Sequence, residues 1–220
     1  MPHAALIFDL DGVVVDSNRL HVDSWKEVAR RAGFECRDPE HIGKCGLRTV
    51  AVIRDLLRWP VSDDEAVRLG LQKEEIYRSW IRESGIPAIP GVVAFLDAAR
   101  ALRIPCAVGS SAPRPNVDVC LHTLALADRF AATVSGDDVR RGKPAPDVFL
   151  AAAAGLGVDP NRCVVFEDAP AGIDAAHAAG MKAVALLTSH DRSELLSADA
   201  IVDDFRSLDP NLSGLEHLRK

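Results

Sequence analysis

Four short apolar runs, at 4–10 (broken only by Asp9), 104–109, 163–166 and 183–187, constrain this chain more than any other feature. A strand with one wet face alternates apolar and polar residues. A strand buried on both faces does not, and such strands belong to parallel sheets covered by helices. Helical patterns lie between the runs. Val92, Phe95, Leu96 and Ala99 share one face over 92–102, Val117, Leu121 and Leu124 over 114–126, and Phe149, Ala152, Ala153 and Leu156 over 146–156. A further helix over 170–179 ends at Gly180, a residue suited to the position after a helix. The alternation predicts an α/β fold, a doubly wound, Rossmann-like parallel sheet.

Residues 17–86 interrupt that rhythm. Trp25, Val28, Ala29 and Ala32 form one helical stripe closed by Gly33, and Val50, Ile53 and Leu57 form another. Ser62-Asp-Asp-Glu65 has the pattern of a capping box, and Ala66, Leu69, Ile76 and Trp80 follow on one face. The segment therefore reads as a small all-helical unit at 16–90, inserted into an α/β domain made of 1–15 and 91–220. Ile86-Pro-Ala-Ile-Pro-Gly91 is the expected stiff return to the sheet.

Composition narrows the class. The 220 residues, 48% of them hydrophobic, suffice for one large core, or one core with a small second domain. The net charge of −6 and the lack of a basic run argue against a nucleic-acid partner. No apolar stretch approaches the roughly 20 residues of a membrane span, and the N-terminus lacks the basic and apolar regions of a signal peptide. Five cysteines without Cys-x-x-Cys spacing read as reduced, mostly buried thiols of a cytoplasmic protein.

Three of the apolar runs end in reactive groups: Asp9 and Asp11, Ser110 and Ser111, and Glu167 and Asp168. Ligands of open α/β sheets bind beyond the carboxyl ends of the strands, so these groups are expected to converge. Lys143, in the loop Arg-Gly-Lys-Pro-Ala-Pro before a helix, is in reach of the same rim. Asp9 and Asp11 are two residues apart, so an extended backbone points both carboxylates the same way. One suits a nucleophile and the other a general acid and base. Oxygen ligands from Asp9, Asp11, Glu167 and Asp168, with no Cys or His, favour Mg²⁺. Ser110 donates to a phosphoryl oxygen and Lys143 supplies fixed positive charge in this reading. Taken singly, each residue has a plainer reading. Asp-x-Asp-Gly is a common turn, Ser110 or Ser111 suits a helix cap, Lys143 an exposed loop, and Glu167 a place behind the ligands.

Together, Asp9-Leu-Asp11-Gly12-Val13, Ser110, Lys143-Pro144 and Glu167-Asp168 resemble, in order, the four motifs of the haloacid dehalogenase superfamily. The inserted unit is similar to the helical cap of its β-phosphoglucomutase-like branch, in Asp16-Ser17, His21, Trp25, Lys44-Cys-Gly-Leu-Arg48, Lys73 and Tyr77. The resemblance covers about 4–190. It implies phosphorylation of Asp9, acid–base work by Asp11, and a Mg²⁺ ligand in the Asp11 carbonyl. The acid at position 11 argues against dehalogenation. The expected substrate is a small phosphorylated metabolite, with a sugar phosphate in view. It is bound by Ser110, Ser111 and Lys143 and, from the cap, by His21, Arg48 and Lys73. The cap residues carry alternatives: His21 is a buried, satisfied histidine or helps position Asp11, Arg48 is a surface residue or a clamp for a distal phosphate, and Lys73, in phase with Ala66, Leu69 and Ile76, is a snorkelling lysine or a charge pointed at the site. A phosphatase is the first reading, a phosphomutase the second and a non-catalytic binding protein the third. The chain is expected to act as a monomer or weak homodimer.

Overall fold

The computed structural model describes residues 5–44, Leu47 and residues 49–208, with the backbone alone at Lys44. Six parallel strands form one sheet in the order β3-β2-β1-β4-β5-β6. They are β1 (Ala5–Phe8), β2 (Cys106–Gly109), β3 (Ala132–Val134), β4 (Cys163–Glu167), β5 (Lys182–Leu186) and β6 (Ala200–Val202). The chain winds outward from β1 to β3, then returns to β4 and winds the other way. The reversal lies between β1 and β4, where an open sheet leaves a crevice at its carboxyl edge.

The four apolar runs supply the four central strands, and the pleat explains why both faces of each are apolar. Leu6, Phe8, Val108, Val164 and Phe166 face one side, while Ala5, Ile7, Ala107 and Val165 face the other. The first side is covered by α5 (Val92–Ala101) and α6 (Arg114–Thr123), the second by α7 (Asp147–Leu156) and α8 (Pro170–Ala178). The two sides pack differently. Phe8 stacks on Phe166 at 5.0 Å and meets Phe95, Phe130 and Phe205 within 6.2 Å. The opposite side is rich in alanine, with Ala183 and Ala185 on β5 and Ala152, Ala175 and Ala176 on the helices. Edge strands β3 and β6 were not expected. Each has three residues and is partly exposed, too short for a period-two signal.

Between β1 and α5 the named elements among the described residues are all helical, beside the isolated bridges Asp11–Val15 and Val15–Ala88: α1 (Asn18–Ala32), α2 (Pro39–Lys44), α3 (Thr49–Ala51) and α4 (Asp63–Ser84). The stripe at Val50, Ile53 and Leu57 becomes α3 and a wider π-turn over Val52–Leu57. Ser62 caps α4 by accepting from the Glu65 N–H. Helix α2 lacked a signal, because Pro-Glu-His-Ile-Gly-Lys offers one buried apolar side chain, Ile42. Trp25, Val28, Ile53, Leu69 and Ile76 make this segment's own core. Tyr77 and Ile81 on α4 pack instead into the aromatic side of the sheet. The two connecting stretches run side by side, with Asp16 N–H donating to Pro87 O and Ile89 N–H to Val14 O.

Replacing Phe8 with alanine removes the centre of the aromatic cluster, and the expected cost is about 3–5 kcal/mol. Denaturant unfolding measures it, with an unchanged m-value. A loss below about 1 kcal/mol would show that the neighbouring rings close the gap.

Candidate active site

Strand register gathers the reactive residues. Phe8 pairs with Val108 on one side and Phe166 on the other. Asp9, the start of the β2 exit loop and Glu167 therefore lie at one edge, and Asp9 N–H donates to Phe166 O at 3.0 Å. The α7 approach loop brings Lys143 to them. Its Nζ lies 2.7 Å from Asp9 Oδ1 and 2.6 Å from Glu167 Oε1, all three groups being buried. Burial opposes the charge on Lys143, but the two carboxylates outweigh it and hold the ammonium protonated.

The carboxylates exceed their counter-charge. Asp9, Glu167 and Asp168 bring oxygens within 4.8 Å of one another, with Lys143 as the cation among them. Burial, the largest influence, and repulsion from Glu167 and Asp11 push Asp9 up to about 7 despite Lys143. Burial and Glu167 likewise push Asp168 well above the usual carboxylate range. Close packing fixes the cluster. Glu167 Oε2 accepts from the Asp168 and Ala169 N–H groups, at 2.8 and 2.9 Å, where α8 begins. A Cβ on Gly172 would stand 1.8 Å from Glu167 Oε1, and one on Gly12, whose φ is +74°, would stand 1.8 Å from Asp168 Oδ2. Ser189 donates to Asp168 and is itself bound by the Asn18 amide at 2.6 Å.

Ser110 lies at the same edge, and its oxygen accepts from Ala112 N–H at 3.0 Å. Its own proton remains available to a ligand. Ser111 is half-buried beside it. Both line a cavity of about 400 Å³ with Asp9, Asp11, Lys143 and Asp168.

Asp11 faces the helical segment. Its Oδ1 accepts from His21 Nε2 at 3.0 Å and from the Tyr77 hydroxyl at 3.3 Å. The Tyr77 ring stacks on His21 at 4.3 Å. Lys73 Nζ lies 2.8 Å from His21 Nδ1. An ammonium only donates, so Nδ1 accepts and the imidazole proton sits on Nε2, toward Asp11. Burial opposes ionisation of Asp11, but His21, first through the charge it carries when protonated and then through its hydrogen bond, outweighs burial together with Lys73 and holds the carboxyl at about 2. Lys73 is therefore neither a surface nor a snorkelling lysine. It is 2% exposed, between Trp25, Tyr77 and Glu74. Arg48, with Cys45 and Gly46, lies outside the described residues.

Sequence reasoning missed Glu74, Asn116, Asn18 and Ser189. One signal was present: Asn116 lies four residues before buried Cys120, on the inner face of α6.

A sequence model of the family described as haloacid dehalogenase-like hydrolase matches residues 3–180, and the chain belongs to that family. It is 36% identical over 184 residues, 83% of this chain and 95% of the relative, to the fructose-1-phosphate phosphatase YqaB of Escherichia coli (strain K12). It is 31% identical to the validoxylamine A 7'-phosphate phosphatase of Streptomyces hygroscopicus subsp. limoneus, over 90% of this chain and 92% of the relative. The crystal structure of a β-phosphoglucomutase from Clostridium difficile superposes with a TM-score of 0.85 at 27% identity, covering 98% of this chain and 97% of that one. The fold is the α/β fold of that family, and the chain is an enzyme of its phosphatase and phosphotransferase type. No described helix is long and apolar enough to cross a membrane.

The crowded carboxylates predict a pH-dependent stability in chelator. A carboxyl raised to about 7 in the fold stabilises it fully below about pH 4, and that contribution is lost as pH rises through about 7. Asp9→Asn is expected to unfold at a higher temperature than wild type at pH 8 without metal, the gap shrinking toward pH 4. Thermal melts across pH check it, and a wild type more stable than Asp9→Asn at pH 8 contradicts it.

Proposed function

We propose that this hydrolase is a Mg²⁺-dependent phosphatase of a small phosphorylated metabolite, a sugar phosphate or close relative, acting through a phospho-aspartate at Asp9. One observation carries the reading. The Asp9 carboxylate, held through one oxygen by Lys143, opens onto a cavity that also receives Asp11, and the two carboxyls have opposite environments. Neighbouring acids pushed apart in this way suit separate roles. Two of the named relatives are phosphatases of fructose 1-phosphate and of validoxylamine A 7'-phosphate, which supports the substrate class.

The donor set fits a hard divalent cation. Three buried carboxylates face one ammonium, every donor is oxygen, and Asp168 is seated against Gly12. Asp9, Asp168 and the Asp11 carbonyl would hold the ion, while Glu167, committed to Lys143 and two backbone N–H groups, anchors the cluster from behind. Bound there, Mg²⁺ offsets the repulsion between Asp9 and an anionic phosphate.

In the first step Asp9 Oδ2 attacks phosphorus, the phosphorus–oxygen bond to the alcohol breaks, and Asp11 gives the alcohol its proton. That proton arrives with the substrate, whose negative charge works against ionisation of Asp11. In the second step Asp11 takes a proton from water, which attacks phosphorus and frees Asp9. Lys143 and Ser110 hold the phosphoryl oxygens throughout. The helical unit at 16–90 serves as a cap over the domain of 1–15 and 91–220, excluding bulk water. Through His21 and Lys73 it holds Asp11.

Phosphate release from a panel of phosphorylated sugars and polyols, fructose 1-phosphate included, tests the reading. Activity is expected with Mg²⁺, and none in excess chelator or with Asp9→Asn. Asp11→Ala is expected to cost roughly 10² to 10⁴ in rate on esters with poor leaving groups. Full turnover by Asp9→Asn or in chelator overturns the mechanism. Conversion of β-glucose 1-phosphate to glucose 6-phosphate, primed by a sugar bisphosphate and faster than phosphate release, would make the enzyme a mutase.

A further inference from the structure

A buried chain of polar side chains runs from α6, on the sheet, through α4 to Asp11. It begins at Asn116, which is 1% exposed. The Asn116 carboxamide bridges two residues of α4. Its carbonyl oxygen accepts from Arg78 Nη1 at 2.8 Å, and its amide donates to Glu74 Oε2 at 2.6 Å. A guanidinium only donates and a carboxylate only accepts, so the amide fits one way round. Burial opposes ionisation of Glu74, but Lys73 beside it, with His21, Thr49 and Asn116, outweighs it and lowers the carboxyl. Both Glu74 oxygens lie 3.3 Å from Lys73 Nζ, and Thr49 also donates to Oε1. From Lys73 the chain continues through His21 to Asp11.

We propose that Asn116 and Glu74 are positioning residues for the acid–base step: the contact of α6 with α4 through Asn116 completes the chain that fixes Lys73, His21 and Asp11. The inference rests on the reading of Asp11 as the proton-transfer group. The physical reason is the orientation of Glu74. Lys73 is the cation paired with this buried carboxylate, whereas Arg78 is held by Glu75 through Nε and Nη2. Asn116 takes the remaining Arg78 nitrogen, Nη1, and gives Glu74 Oε2 a neutral donor. Glu74 therefore stays turned toward Lys73, and Lys73 keeps its geometry toward His21. Remove the carboxamide and Glu74 loses the donor that orients it, so its hold on Lys73 loosens. A buried charged network that loses one member reorganises rather than simply losing one bond.

The test uses two substrates of similar shape and different need for a proton. p-Nitrophenyl phosphate releases a stable p-nitrophenolate, whereas the more basic phenolate released from phenyl phosphate benefits from protonation. Values of kcat/KM report the step that releases the alcohol. For Asn116→Ala, kcat/KM is expected to fall about tenfold with phenyl phosphate and less than about twofold with p-nitrophenyl phosphate. Glu74→Gln is expected to show the same pattern. Asn116→Ala added to Lys73→Ala should cost little beyond Lys73→Ala alone, because both act through one chain. Equal losses on the two substrates would make Asn116 a general latch. Unchanged kinetics, or full additivity with Lys73→Ala, would also overturn the proposal. If Asn116→Ala does not fold, Asn116→Asp retains the acceptor for Arg78 and loses the donor to Glu74, and the same substrate pattern is expected. A wild type that releases phosphate from neither ester with Mg²⁺ present removes the phosphatase reading, whereas failure of the variants alone removes this inference.

Discussion

Three buried carboxylates share one ammonium at the end of β1 and β4, and most of the architecture serves to tolerate that imbalance. Like charges this close repel by several kcal/mol where water is excluded. A flexible chain would part them. Here each is fixed by something the sheet provides. Asp9 is fixed by its backbone bond to Phe166 O, Glu167 by Lys143 and two N–H groups at the start of α8, and Asp168 by packing on Gly12 and by Ser189. Such a site lowers the stability of the empty protein, as strained functional sites do. The aromatic side of the sheet, with Phe8 against four other rings, lies directly behind it and holds the strand ends in register.

What could be read from the sequence follows from what is local. The central strands were legible because burial on both faces removes every polar residue, as at Leu6-Ile7-Phe8. Asp9, Lys143, Glu167 and Asp168 were legible because they end or approach those strands. Edge strands β3 and β6 and helix α2 were not, since three or six residues with partial exposure carry no period. The polar chain through Glu74 and Asn116 was out of reach for a different reason. A carboxylate or an amide on an apolar face has meaning only through its partner, and these partners lie 42 residues apart. Lys73 shows the same limit. Its phase with Leu69 and Ile76 was visible, but the choice between snorkelling and a directed charge needed His21, 52 residues away in sequence.

Asp9 and Asp11 are separated by one buried leucine, yet their carboxyls lie near 7 and near 2. The backbone explains the difference. After Leu10 the chain turns through Gly12 at positive φ, with Gly12 N–H donating to Val15 O, and leads into the helical segment. Asp9 stays with the sheet, among carboxylates and Lys143. Asp11 is turned toward α1 and α4, where His21, Tyr77 and Lys73 await it. One turn thus assigns the two acids to two structural units. Under the proposed mechanism the sheet sets the nucleophile, which meets a phosphoryl group common to every substrate. The helical unit sets the proton-transfer group and lines the side of the cavity that meets the alcohol, which differs from substrate to substrate. A change in that unit can therefore alter leaving-group preference without disturbing the carboxylates that hold the phosphoryl end.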